Sequence, residues 1–181
     1  MKKLEKLILQ DFPKICEKEQ QSMIGGSGGF VMAPDGNVYY CPGEAIVYGG
    51  PGGAAERAIM EIGTCEINGT TNTSQIMSYF DSCAGSYSTS DGWCSAFVNS
   101  MFQASGLQGT DSARASSWLD WGTSTSNPQV GDVAVYSNGG HCGIVTSIEN
   151  GVVMVTSGNS GAEDCVRTGS YGDWVFRTGG N

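Results

Sequence analysis

Cys94 lies where a protein thiol is readily activated, at the predicted start of a helix. Asp91 is placed to cap this helix, the first turn holds Trp93 and Cys94, and Gly106 ends it. An apolar face at helical spacing is formed by Ala96, Phe97, Met101 and Phe102. The unpaired N–H groups and the positive end of the helix dipole favour a thiolate, which is the nucleophilic form of cysteine.

The chain contains one histidine, His141, and histidine is the side chain best suited to act as a base near neutral pH. His141 follows a glycine turn and begins a predicted strand, where it shares one side with Gly143 and Val145. Asn159 ends the next predicted strand, and an adjacent antiparallel strand could bring its amide to the far nitrogen of His141. The three residue types together predict a Cys-His-Asn site for nucleophilic catalysis.

Other interpretations of these residues stay open at this point. Cysteine is most often a buried small hydrophobic residue or half of a disulfide, and a lone histidine on a strand is usually structural. Cys142 and Cys65 compete with Cys94 for the role of nucleophile. Cys142 adjoins the histidine but faces the opposite side of its strand, and Cys65 lies in a loop, so neither begins a helix.

The elements that must position these residues follow from periodicity and turn signals. Helical spacing predicts helices over Ala54–Ile62 and Gln75–Ser82, ahead of the one that carries Cys94. Turn-separated, β-branched runs predict strands at Val133–Tyr136, His141–Ile148, Val152–Ser157 and Trp174–Arg177. Helices followed by an antiparallel meander predict an α+β domain.

Charge excludes several classes of partner. The net charge is −9, and all five lysines precede Gly25, so that four arginines face 14 acidic residues beyond Gly26. A body this acidic repels phosphates, and we expect neither nucleic-acid binding nor non-specific attachment to anionic membranes. The acidity could serve only solubility, or it could recruit a cationic substrate.

The cysteine content indicates an oxidising destination. The chain has seven cysteines, no Cys-x-x-Cys pair and a single histidine, which removes the usual zinc patterns, and no cofactor or metal is expected. If Cys94 is a free thiol, the five other cysteines after Gly26 allow two disulfides at most. Their pairing cannot be read from the sequence.

Residues 1–26 differ from the rest and end in Gly25-Gly26. They resemble a double-glycine leader, the export tag of many bacteriocins, which a transporter's own cysteine-protease domain removes after the second glycine. Three positions match the leader pattern: Met23 lies four residues before the cut, Glu19 eight and Ile15 twelve. The residue seven before the cut, Gln20, does not match, because an apolar residue is often found there. A surface helix followed by a glycine hinge is the alternative. In residues 27–53, two short apolar runs around Asp35-Gly36-Asn37 predict a hairpin, and the residues after it predict a strand and a loop. We interpret this segment as a connector.

The segment from residue 54 to about 178 resembles the CHAP and NlpC-type cell-wall hydrolases, a papain-like superfamily. The resemblance rests on an ordered set of motifs: Trp93-Cys94-Ser95 with Phe97-Val98, Pro128 with Gly131-Asp132, Gly140-His141 with Gly143-Ile144-Val145, and Gly158-Asn159. It implies a papain-like α+β core, with Cys94 as nucleophile, His141 as base and Asn159 as the residue that orients the base. Cys142 departs from the pattern, which usually has an aliphatic residue there.

The resemblance also implies substrate and partners. We expect hydrolysis of an amide or peptide bond of peptidoglycan, with contacts to the stem peptides from Asp91, Trp93, Trp118 and Trp121. Trp118 and Trp121 lie in the insert Ser112–Ser126, and these two side chains could equally well belong to the hydrophobic core as to a substrate groove. With a leader and its transporter, the protein would be secreted, monomeric and either a wall-remodelling enzyme or a toxin that has an immunity protein. A non-enzymatic bacteriocin-like binding module and a protein-directed cysteine protease are the alternatives.

Overall fold

The structure is a computed structural model that describes residues 30–32, 38–40, 50–66, 73–88, 90–170 and 172–179. The chain divides into two compact units, Met1–Val47 and Tyr48–Asn181. Within the described residues, no helix is long and apolar enough to cross a membrane. The leader residues 1–26, with Gly25 and Gly26, lie outside the described part of the chain.

The first unit contains a pair of short antiparallel strands. Strand β1 (Phe30–Met32) pairs with β2 (Val38–Tyr40), and Val31 lies opposite Tyr39. The predicted hairpin is therefore present as paired strands, and its turn residues lie outside the described residues.

Among the described residues of the second unit, three α-helices precede the sheet. They are α1 (Gly50–Met60), α2 (Thr73–Tyr79) and α3 (Cys94–Ala104). Helix α1 begins four residues before the predicted start, because Pro51 suits the first helical position and Gly50 adopts a positive φ of 70° ahead of it. The predicted helix over 75–82 is divided into α2 and a 3-10 turn, Phe80–Ser82. A second 3-10 turn spans Ala115–Leu119.

A six-stranded antiparallel sheet follows the helices, as predicted for an α+β domain. Its strands are β3 (Thr123–Thr125), β4 (Val133–Tyr136), β5 (Cys142–Glu149), β6 (Val152–Ser160), β7 (Cys165–Gly169) and β8 (Trp174–Thr178). The order is β3-β8-β4-β5-β6-β7, so that the meander from β4 to β7 is closed by β8, which returns to pair with β4. Strands β3 and β7 occupy the two edges and were not predicted, because each is short and partly polar.

Alternation along the strands divides the buried side chains between two faces of the sheet. The helix-side core joins Cys142 and Ile144 to the aromatic side chains of α3 and the helical turns, including Phe97, Phe102 and Trp118. Val145 and Val155 pack on the other side with Trp174 and Phe176. Burying a large apolar side chain stabilises the fold by about 1.5–3 kcal/mol, and the helix-side cluster is much the larger. It therefore fixes α3 against β5, which begins directly after His141.

A disulfide joins the segment after α1 to the edge strand of the sheet. Cys65 and Cys165 are bonded, 100 residues apart in sequence, and the same residues form an isolated antiparallel bridge. Cys65 is therefore excluded as the nucleophile. The free thiols in the described part of the chain are Cys83, Cys94 and Cys142.

We expect removal of this crosslink to lower the free energy of unfolding. In Cys65→Ser/Cys165→Ser, the unfolded chain regains the freedom of a long loop, and the loss should be about 2–5 kcal/mol, measured by urea denaturation. The matched control is Cys83→Ser, which removes a thiol that has no disulfide partner in the structure and should have a much smaller effect. Equal losses in both variants would contradict the crosslink.

Candidate active site

Helix α3 begins at Cys94, so the thiol lies in the first turn as predicted, but Trp93 lies outside the helix and the cap is not the one expected. The first residue outside the helix is Trp93, which supplies no side-chain cap, and Asp91 does not cap the helix either. The Asp91 carboxylate instead accepts hydrogen bonds from the backbone N–H and the hydroxyl of Ser88, at 2.7 and 3.0 Å. The predicted capping by Asp91 is therefore wrong, because a nearer donor pair in its own turn binds the carboxylate.

The start of α3 is held by a residue distant in sequence, Asn159. Its Oδ1 accepts a hydrogen bond from the Trp93 N–H at 3.0 Å, and its Nδ2 donates to Asp164 Oδ1 at 2.8 Å. Both ends of the amide are thus used, and neither hydrogen bond is made to His141. The prediction that Asn159 orients the imidazole is corrected: its side chain anchors the helix that carries the nucleophile candidate.

The turn around Asn159 is shaped to receive this helix. The pairing of β6 with β7 shifts between Ser157 and Ser160, which is a bulge, and Asn159 takes a positive φ of 55°. A Cβ at Gly158 would lie 2.3 Å from the ring of Trp93 and 2.9 Å from Cβ of Phe97. Only glycine permits this approach, so the Gly158-Asn159 motif sets the distance between α3 and β6.

His141 is held through one ring nitrogen by two serines of the same bulge. Its Nε2 lies 3.1 Å from Ser157 Oγ and 3.2 Å from Ser160 Oγ, and the two hydroxyls are 2.7 Å apart. Both serines are buried, and the ring is flanked by Tyr136 and Trp174 at centroid distances of 5.6 and 6.3 Å. Nε2 is therefore occupied, and Nδ1 is the ring nitrogen that neither serine contacts.

Two groups surround the Cys94 thiol, and the sequence indicated only one of them. Hydrogen bonds from the Cys142 thiol and from His141, together with the charge of His141, lower the pKa of Cys94 well below its ordinary value, although burial opposes this. Burial and the neighbouring Cys94 raise the pKa of Cys142, so that this thiol stays protonated and can donate. Cys142 reaches Cys94 because it faces the helix side of β5, the side opposite to that of His141.

An open cavity lies beside His141. Its volume is about 560 Å³. The residues that line it are Tyr136, His141, Asn159, Ser160, Gly161, Arg167 and Thr168. Cys94 is buried, with 7% of its surface exposed, and it is not among the residues that line this cavity.

The tryptophans predicted to contact a substrate lie elsewhere. Trp93 and Trp118 are fully buried, and their indole N–H groups donate to Glu66 and Ser95. Trp121 is half-buried, packs on Trp118 and lines a different, smaller cavity. The core interpretation of the insert is therefore correct for Trp118, and substrate contact by Trp93 and Trp118 is corrected. Asp91 is exposed, and its contact with a substrate remains a prediction.

The site thus joins two of the three predicted residues with three that sequence reasoning missed. A thiol of lowered pKa beside an imidazole can attack a carbonyl carbon and then protonate the departing group. Ser157, Ser160 and Cys142 complete the surroundings. The only sequence signal for the serines was their position on either side of the Gly158-Asn159 turn.

A comparison with protein families matches the segment that contains Cys94 and His141. Residues 85–159 match the model of the CHAP domain. The matched segment contains α3, β4, β5 and most of β6, and it supports a CHAP-type cell-wall hydrolase domain in the chain. No curated protein and no solved structure matches the chain significantly.

We expect Asn159→Ala to destabilise the domain through the start of α3. Loss of an acceptor for an N–H at the N-terminal end of a helix, here that of Trp93, costs about 0.5–2 kcal/mol, which urea denaturation would detect as a lower midpoint. Asn138→Ala is the matched control, since Asn138 accepts one backbone hydrogen bond from Gly140 in an exposed turn. Unchanged stability of Asn159→Ala would show that this side chain does not anchor the helix.

Proposed function

We propose that this protein is a peptidoglycan hydrolase, an amidase or endopeptidase, with Cys94 as nucleophile and His141 as general base and acid. The observation that carries the proposal is the placement of both side chains, within a segment that matches the CHAP domain, such that His141 lowers the pKa of the Cys94 thiol. Peptidoglycan supplies the amide bonds between sugar and peptide and within the peptides.

The proposed reaction has two acyl-transfer steps. The Cys94 thiolate attacks the carbonyl carbon of the scissile amide, and the carbonyl oxygen becomes an oxyanion. His141, protonated by the thiol's proton, donates that proton to the amine nitrogen as the C–N bond breaks, which leaves a thioester on Cys94. His141 then takes a proton from water, the hydroxide attacks the thioester, and the acid product and the Cys94 thiolate are released.

The start of α3 supplies stabilisation for both negative species. The N–H of Cys94 is in the first helical turn, has no acceptor within the helix and lies at the positive end of the dipole. It is the donor that we assign to the oxyanion. The Cys142 thiol donates to the thiolate of the resting enzyme and is assigned a positioning role.

The serine pair takes the part expected of Asn159. Ser157 and Ser160 bind Nε2 of His141 and hold the ring between Tyr136 and Trp174. A hydroxyl pair can accept from Nε2–H when the ring is protonated and can rearrange its own hydrogen bond when it is not. The orienting group is therefore neutral, in contrast to the carboxylates that often fill such a position.

Export is a further part of the proposal. The spacing of Ile15, Glu19 and Met23 ahead of Gly25-Gly26 supports a double-glycine leader that a transporter removes after Gly26. The crosslink between Cys65 and Cys165 suits an oxidising destination outside the cytoplasm. Together these features favour a secreted protein that acts on the walls of other cells, with an immunity protein in the producer.

We expect the purified chain to release new amino groups from intact bacterial sacculi. Cys94→Ala should reduce the initial rate about a thousandfold or more, because it removes the group that we propose forms the acyl-enzyme. Cys83→Ala is the control, since this free thiol lies outside the site, and it should retain the rate of the unaltered protein. Undiminished release by Cys94→Ala would refute the assignment of the nucleophile, and release from casein but not from sacculi would refute the substrate.

A further inference from the structure

One positively charged side chain, that of Arg167, lines the cavity beside His141. Of the four arginines of the described residues, only Arg167 lines this cavity, and no carboxylate is among the lining residues. Arg177 is held elsewhere, where it donates to the carbonyl oxygens of Trp121 and Gly122. In a domain whose charge is strongly negative, a guanidinium beside the catalytic imidazole calls for an explanation.

The sheet register places Arg167 next to the residues that hold His141. Arg167 is the direct cross-strand partner of Ser157 in the pairing of β6 with β7. Directly opposed residues of antiparallel strands point to the same face, with Cβ atoms about 4.5–5.5 Å apart. The Arg167 side chain therefore points to the face of the sheet on which Ser157 contacts the imidazole, and it lines the same cavity.

Most of the hydrogen-bonding capacity of Arg167 is unused by the described residues. Its Nη2 donates to Glu163 Oε2 at 2.6 Å and contacts Cys165 Sγ at 3.7 Å. The side chains of Arg167 and Glu163 are 47% and 59% exposed, and such surface pairs contribute at most about 1 kcal/mol. An incoming anion can therefore share or replace this partner at little cost.

The guanidinium group of Arg167 also lies against Gly161. A Cβ at this glycine would come within 3.4 Å of Cζ and Nη1 and 3.5 Å of Nε. Since Gly161 has no side chain, it leaves this part of the guanidinium uncovered. Nε and Nη1 have no hydrogen-bond partner among the described residues, and each can donate to an oxygen of a carboxylate.

The cavity lies on the histidine side of the site, not on the cysteine side. It is lined by His141 and not by Cys94. In the proposed mechanism, His141 gives its proton to the leaving amine, so the amine-side fragment of the substrate must lie on the histidine side of the site. A group in this cavity therefore belongs to the fragment that leaves first.

We infer that Arg167 binds a free carboxylate on the amine-side fragment of the substrate and so makes the enzyme selective for stem peptides that are not amidated there. This inference rests on the proposed function and names a specificity residue within it. Arg167 orients the leaving fragment and does not take part in the bond changes.

The test compares two preparations of soluble muropeptides obtained by cleaving the glycan strands of sacculi. One keeps its carboxylates, and in the other they are converted to carboxamides with carbodiimide and ammonium chloride. The unaltered full-length protein should show a KM about three- to tenfold higher for the amidated preparation, the size of one partly exposed charge-assisted contact. Its kcat should change much less.

Variants at one position then assign the effect to the guanidinium. Arg167→Gln should raise the KM for the unmodified preparation to that for the amidated one, with no further effect of amidation, and Arg167→Lys should keep part of the preference. Arg114→Gln removes an equal charge at an exposed position outside the cavity and should keep the whole preference. Glu163→Gln, which frees Nη2, should keep or increase it.

A competition experiment determines whether the recognised carboxylate lies on the amine side or on the acyl side of the scissile bond. In a partly amidated mixture that is digested halfway, mass spectrometry should find the uncleaved peptides enriched in amides on the amine side of the cut. Enrichment on the acyl side only would overturn the inference, as would equal KM values for the two preparations or an equal loss for Arg167→Gln on both. If neither preparation is cleaved in a manner that depends on Cys94, the proposed function fails first and the inference falls with it.

Discussion

The first turn of α3 meets the end of β6 through one hydrogen bond and one close approach. The Trp93 N–H binds the Asn159 side chain, and the Trp93 ring lies over Gly158, where no Cβ could be accommodated. Cys94 follows Trp93 directly, and Ser157 precedes Gly158 directly. The contact therefore sets the position of the thiol and of the group that holds the imidazole at the same time, with little freedom for either to shift.

The electrostatic consequence is a lowered pKa of the Cys94 thiol, although this thiol is largely buried. Removal of an anion from water is costly unless donors replace the lost hydration. The first turn of α3 provides a dipole and unpaired N–H groups, Cys142 provides a thiol, and His141 provides a charge. Cys142 would not reach Cys94 if β5 were shifted by one residue, because its side chain would then face the other side of the sheet.

The sequence predicted those parts of the site that local pattern determines. The position of Cys94 at the start of α3 and the bounds of β4 followed from apolar spacing and turn residues. The pairing of His141 with Cys94 was predicted from the chemistry of the two side chains and stays a prediction. The role of Asn159 did not follow, because its partner lies 66 residues away and the bulge that turns it toward α3 depends on the pairing with β7. Strand β7 itself is a short edge strand with a polar half, so alternation gave too weak a signal. The serine pair was hidden for the same reason, since hydroxyls are common in turns and only the register brings these two to the ring.

The central claim is that Cys94 is ionised in the resting protein, and the pH dependence of its alkylation tests this most directly. The rate of reaction with iodoacetamide, followed at Cys94 by mass spectrometry of peptides, should reach half its plateau at a pH well below the ordinary pKa of a thiol, about 8.5. Cys83 is the internal reference in the same molecule, because burial raises the pKa of its thiol. A profile for Cys94 with its midpoint at or above that ordinary value would contradict the account.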